Sequence, residues 1–196
     1  MSTFSKRTFD AALLARCTGA AVLNLPVLTM ALLRPATSPR LREEVMLAVT
    51  SVNDCRYCSW AHTGLALQQG IDLDALRQLL DREHIADADR PEVVAILFAQ
   101  HFAATGRRPD AAARAALEWS FPQPQRREIM AYIHAIYFAN LSGNSADAWL
   151  ARLRGEPVAD GHPFAEAFAA VLAAPILAGI RLASRRVRPE LMQRET

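Results

Sequence analysis

Cys55 and Cys58, with Glu43 twelve residues before the pair and His62 four residues after it, are the residues whose types and spacing best suit chemistry. Two thiols spaced C-x-x-C at the start of a helix can close a small disulfide ring. A histidine four residues beyond the second thiol then stands one turn further along the same face. His62 in its neutral form can take the Cys58 proton across that turn, leaving a thiolate that attacks a peroxide oxygen or a disulfide sulfur. Cys55 would resolve the resulting sulfenic acid to a disulfide. Glu43 can orient the imidazole or pass it a proton if its own helix packs across the dithiol helix, although Glu44 beside it is an equal candidate by composition.

Other uses of a C-x-x-C pair fit less well. Tetrahedral zinc needs four ligands, and no second C-x-x-C or paired histidines accompany this one; His62 would make only a third. Covalent haem requires histidine directly after the second cysteine, where the chain has Ser59. A thioredoxin-like fold requires a flanking βαβ pattern, and none is seen. The third cysteine, Cys17, reads as a buried packing residue.

The elements that must position these residues read as helices. Alanine is abundant, glycine numbers only 8 in 196 residues, and β-branched alternation is rare, so the expected class is all-α. Residues 8–33 suggest two short helices broken near Asn24-Leu25-Pro26, followed by a connector from Pro35 to Pro39. Leu41 to Asn53 has apolar Val45, Met46, Val49 and Val52 at helical spacing, with Glu43 near its start. Asn53 or Asp54 is expected to cap a helix running from Cys55 to Gln69 and stopping at Gly70, which puts the dithiol among free backbone N–H groups that stabilise a thiolate. Asp72 or Asp74 begins a helix through Leu80, Pro91 opens another, and two more are expected at Asp110–Trp119 and Gln125–Asn140. His101 and His134 fall in apolar helices and read as interior or interface histidines. His84 and His162 fall in polar loops, and Trp60 reads as an ordinary core tryptophan.

With 52% hydrophobic and 21% charged residues the chain suits one compact domain, and a net charge of +2 without aromatic and basic interleaving argues against nucleic acid. The N-terminal apolar run is interrupted by Arg16, Asn24 and Pro26, which fits a signal peptide badly. Residues 164–183 are apolar but contain Glu166, Pro175 and Arg181, so a packing helix over the core or at a subunit interface is expected and a membrane span is not. Three cysteines make a disulfide framework improbable, and a cytoplasmic setting is expected.

Glu43, Cys55, Cys58 and His62, together with Ala61, Gly70 and Asp72, make the chain resemble the carboxymuconolactone decarboxylase-like superfamily, in particular its alkylhydroperoxidase D-like branch. The likeness covers 41–155 as a helical core, with residues 1–40 and 156–196 as helical extensions of a single domain. It implies an all-helical fold, a homo-oligomer that is a trimer or a multiple of one, and reduction of alkyl hydroperoxides. It implies no bound cofactor, with recharging by an external dithiol, such as a lipoyl-type reductant protein. By the same resemblance, Cys58 takes the peroxide-reactive role, Cys55 forms the disulfide, and His62 and Glu43 make a proton relay. One departure stands out: the best-known members carry a second histidine just before the second cysteine, where this chain has Tyr57, a poor proton relay at neutral pH with its ordinary pKa of about 10. Two rival readings are a decarboxylase-like lyase, which needs no dithiol, and a non-enzymatic thiol redox sensor or scaffold.

Overall fold

The computed structural model describes residues 4–72, 74, 75, 90–159 and 161–192. Among these residues the fold is all-α, with seven helices, and its β structure is an isolated parallel bridge between Phe4 and Val158. The helices are α1 (Ala11–Leu33), α2 (Pro39–Asn53), α3 (Arg56–Gln68), α4 (Pro91–Ala104), α5 (Ala111–Ser120), α6 (Gln123–Leu153) and α7 (Pro163–Met192). The long α6 is the central pillar: α1, α2, α3 and α7 all pack on it, and α2 also lies against α3 and α4. Its buried stripe of Ile129, Ile133, Ile136, Tyr137 and Leu141 meets Val45 and Val49 of α2 and Phe98 and Phe102 of α4 in one core.

Local chemistry sets the helix starts. The Asp10 side chain accepts the Leu13 N–H, Ser38 accepts that of Leu41 with Pro39 in the first turn, and Asp110 accepts that of Ala113. Asp72 accepts the Ala75 N–H at 2.8 Å, the start expected there; the remainder of that helix to Leu80, and His84, lie outside the described residues.

Four expectations are corrected. First, α1 does not break at Pro26 but runs through it. Proline withdraws one backbone donor, yet α1 packs on α6, and in the turn before the proline Asn24 Nδ2 donates to the Ala20 carbonyl at 2.8 Å. Second, α6 does not end at Asn140 but continues to Leu153. Asn140, where the end was expected, accepts from Thr50 Oγ1 at 3.2 Å instead, and one turn further on Asn144 Nδ2 donates to the Asn53 carbonyl at 2.7 Å. Third, Asp54 does not cap α3. It closes α2 in a left-handed conformation (φ 52°), its N–H on the Thr50 carbonyl and its carboxylate 2.9 Å from Lys6 Nζ, which leaves Cys55 in the N-cap position of α3. Fourth, Trp60 is not a core residue: it is 39% exposed.

In α7 the small residues face inward. Ala165, Ala169 and Ala173 are buried, while Phe164, Phe168, Val171 and Leu172 are exposed. The helix is held by Glu166, wholly buried, whose two oxygens accept from Arg152 Nε at 2.6 Å and Nη2 at 3.1 Å. By length and composition α1 is apolar enough to cross a membrane, and Leu23, Leu32 and Leu33 on it are exposed.

Candidate active site

The turn between α2 and α3 places the dithiol. Because α2 stops in a left-handed residue and α3 starts two residues later, Cys55 occupies the position normally taken by a capping oxygen. The Cys55 sulfur is buried and lies 3.2 Å from that of Cys58, which is partly exposed. The hydrogen bond between the two thiols, helped by the backbone N–H groups of Cys58 and Tyr57, outweighs burial and holds the Cys55 thiol below its ordinary pKa. Cys58 moves the other way: the same hydrogen bond, burial and the neighbouring negative sulfur all raise it. Of the two thiols, Cys55 is thus the one that ionises first.

The second half of the constellation comes from α2. Glu43, 1% exposed, accepts the His62 Nδ1–H at 2.7 Å with one oxygen and the Arg42 Nε–H at 2.8 Å with the other. Burial raises the Glu43 carboxyl, but the hydrogen bonds from His62 and Arg42 and their positive charges outweigh it, so the group lies below the ordinary carboxylate value. An ionised Glu43 holds a proton on Nδ1, so proton exchange falls to Nε2. Glu44, by contrast, pairs with Arg40 at 2.9 Å, one turn back on its own helix. The two glutamates that composition could not separate are thus separated by the face of α2 each occupies.

All four residues singled out from the sequence converge on this junction. The expected direct bond from His62 to Cys58 is absent, however: the Cys58 sulfur is paired with Cys55, and the His62 ring is drawn toward Glu43.

Several residues at the site gave no sequence signal. Asp147 of α6 accepts from Tyr57 Oη at 2.7 Å and from Arg56 Nη2 at 2.6 Å, and the Arg56 guanidinium lies 4.8 Å from the Tyr57 ring centre. Burial and the bond to Asp147 push the Tyr57 phenol up despite Arg56, so Tyr57 is an anchor that ties the first turn of α3 to α6 rather than a proton relay. Gly143 of α6 gives the Cys55 sulfur its room, since a β-carbon there would lie 2.8 Å from it. Lys6 and Arg7, ahead of α1, brace the same junction: Lys6 Nζ donates to the Asp54 carbonyl at 2.7 Å and Arg7 to the Ala103 carbonyl at 2.5 Å.

Among the described residues no group of three or more histidines, cysteines and acids is arranged to hold a metal. The arrangement can instead take up two electrons' worth of oxidation at sulfur and move a proton beside it.

Residues 21–101 match the carboxymuconolactone decarboxylase family. The superfamily of that name includes the alkylhydroperoxidase D-like proteins, and the matched segment runs from the middle of α1 to near the end of α4, taking in Glu43, Cys55, Cys58 and His62. No curated protein and no solved structure matches the chain. The family segment thus holds the whole dithiol constellation, while Gly143 and Asp147, which seat it, come from α6 beyond the match.

Proposed function

We propose that this protein reduces organic hydroperoxides through the Cys55–Cys58 dithiol and is recharged by an external dithiol, of the lipoyl type or on a reductant protein. The observation that carries the reading is the 3.2 Å separation of the two sulfurs, with a Glu43–His62 pair one helical turn away.

Cys58, the more accessible sulfur, attacks the peroxide. Its proton passes to Cys55, 3.2 Å away, the O–O bond breaks, and the alkoxide takes a proton from His62 and leaves as an alcohol while Cys58 becomes a sulfenic acid. Cys55, already favoured as the thiolate, attacks the Cys58 sulfur. The S–O bond breaks, the hydroxyl leaves as water with a proton relayed through His62, and the disulfide closes. An external dithiol returns two electrons by thiol–disulfide exchange. Glu43 keeps the imidazole in the tautomer that exchanges protons at Nε2. The activity belongs to a cytoplasmic homo-oligomer, a trimer or a multiple of one.

The test is a free-thiol count on reduced protein before and after a stoichiometric organic hydroperoxide, with the peptide carrying both cysteines examined by mass spectrometry. Rapid loss of two thiols with an internal disulfide supports the reading, and thiols that survive excess peroxide reject it. Because the family match also admits decarboxylase-like lyase chemistry, the double Cys55→Ser, Cys58→Ser variant distinguishes the two: a lyase keeps its activity, a thiol peroxidase loses it.

A further inference from the structure

Away from the dithiol, a cavity of about 750 Å³ opens between α1, α4, α5 and α6. Arg107, Arg114, Arg126 and Arg127 line it, against a single carboxylate, Glu118. The whole chain carries 22 basic and 20 acidic residues, so four to one is a local concentration of charge. The remaining wall is apolar, with Val27, Phe98, Leu117 and Met130 prominent. An adjoining cavity shares Arg107 and His134 and adds Arg16 and Arg108, extending the positive side.

A guanidinium withdrawn from water ordinarily has a carboxylate partner. Of the four, Arg107 and Arg126 are partly buried and Arg114 and Arg127 exposed, and among the described residues none lies within salt-bridge distance of a carboxylate. Arg107 is half-buried, and its Nη1 donates at 3.1 Å to Cys17, a thiol whose pKa burial raises and which therefore stays neutral. Arg126 is fixed by the Glu118 backbone carbonyl at 3.0 Å, which satisfies a donor without cancelling the charge. His134 on the same wall is held at a pKa of about 4 by burial and the Arg107 charge, so the positive potential reaches into the cavity. Arg107 itself sits at φ 73°, a backbone conformation uncommon for a residue with a side chain.

We propose that this cavity binds a monocarboxylic acid with an apolar body, its carboxylate taken by Arg107 and Arg126 and its body laid against Val27, Leu117 and Met130. The volume suits a small molecule, and planar guanidinium forks match a carboxylate in geometry as well as charge. The site is separate from the dithiol and stands whether or not the chain is a peroxidase.

The test is calorimetric titration of the intact protein with octanoate, with 1-octanol and acetate as probes that each lack one half of the ligand. Saturable octanoate binding is expected, with 1-octanol and acetate binding at least about tenfold more weakly. Each of Arg107→Gln and Arg126→Gln is expected to weaken octanoate by about tenfold or more, the loss of a charge-assisted pair, while peroxide consumption is unchanged. Octanoate binding that is not saturable, that 1-octanol equals, or that survives both substitutions overturns the proposal. The comparison of three probes on the unaltered protein decides the matter even if a variant folds poorly.

Discussion

Gly143 and Cys55 meet across the contact between α6 and the start of α3, so closely that a β-carbon at position 143 would stand 2.8 Å from the Cys55 sulfur. The glycine is in a helix interior, where it costs about 0.5–1 kcal/mol relative to alanine. What offsets that cost is the space it leaves for the Cys55 sulfur.

Gly143→Ala should therefore separate stability from activity. The gain in helix propensity opposes the clash, leaving the unfolding free energy within about 1 kcal/mol of the parent. Displacement of Cys55 from the Tyr57 and Cys58 N–H groups should slow disulfide formation about tenfold or more, since a misplacement of about 1 Å at a reacting group is costly. Stopped-flow thiol loss after peroxide addition checks it; an unchanged rate would show that Cys55 needs no such seat.

Glu43→Gln keeps the shape of the side chain but removes the charge that fixes the His62 tautomer and balances Arg42. Peroxide consumption should fall about tenfold to a hundredfold, in line with disruption of an outer partner that orients a histidine. The stability effect has a definite pH dependence. The folded-state pKa of Glu43 lies below its ordinary value of 4.5, so the ionised carboxylate contributes stability that is present above that value and is lost as pH falls through the folded-state pKa. Urea midpoints of parent and variant should differ at neutral pH and converge in acid. A gap that persists or widens there would refute this account.

Asp147→Asn should cut the anchor that holds Tyr57 and Arg56 to α6. The Asp147 charge also raises the Cys55 pKa, so its removal lowers it further, and the thiolate persists to lower pH. Ultraviolet thiolate absorbance followed against pH, in a Cys58→Ser background, reads this directly. An upward shift would mean that the loosened first turn, rather than the lost charge, dominates.

Glu166→Ala removes the carboxylate that binds Arg152 through two hydrogen bonds at the junction of α6 and α7. Arg152 is 29% exposed and can turn toward water, so the cost should fall near or below the lower end of the range for a broken buried pair, about 2–3 kcal/mol. Equilibrium unfolding measures it. Octanoate binding should be unchanged, because neither residue lines the arginine-rich cavity.

The sequence by itself determined the helical class and singled out the residues on which the proposed chemistry rests. Glycine scarcity, apolar residues at helical spacing and caps such as Ser38 and Asp110 act within a turn or two of chain, and so do the C-x-x-C pair and a histidine four residues on. Where local signals competed with tertiary contacts, the local reading failed: Pro26 did not break α1, which packs along α6, and Asn140 did not end α6, where its side-chain oxygen accepts from Thr50 of α2. Only the tertiary structure decided that Glu43 and not Glu44 meets His62, that Cys55 rather than Cys58 is the thiol whose pKa is lowered, and that Gly143 and Asp147, about ninety residues along the chain, form its seat. Each of these depends on which faces of α2, α3 and α6 are pressed together, and a difference of one residue along a helix turns a side chain through about 100°, more than enough to move it from one neighbour to another.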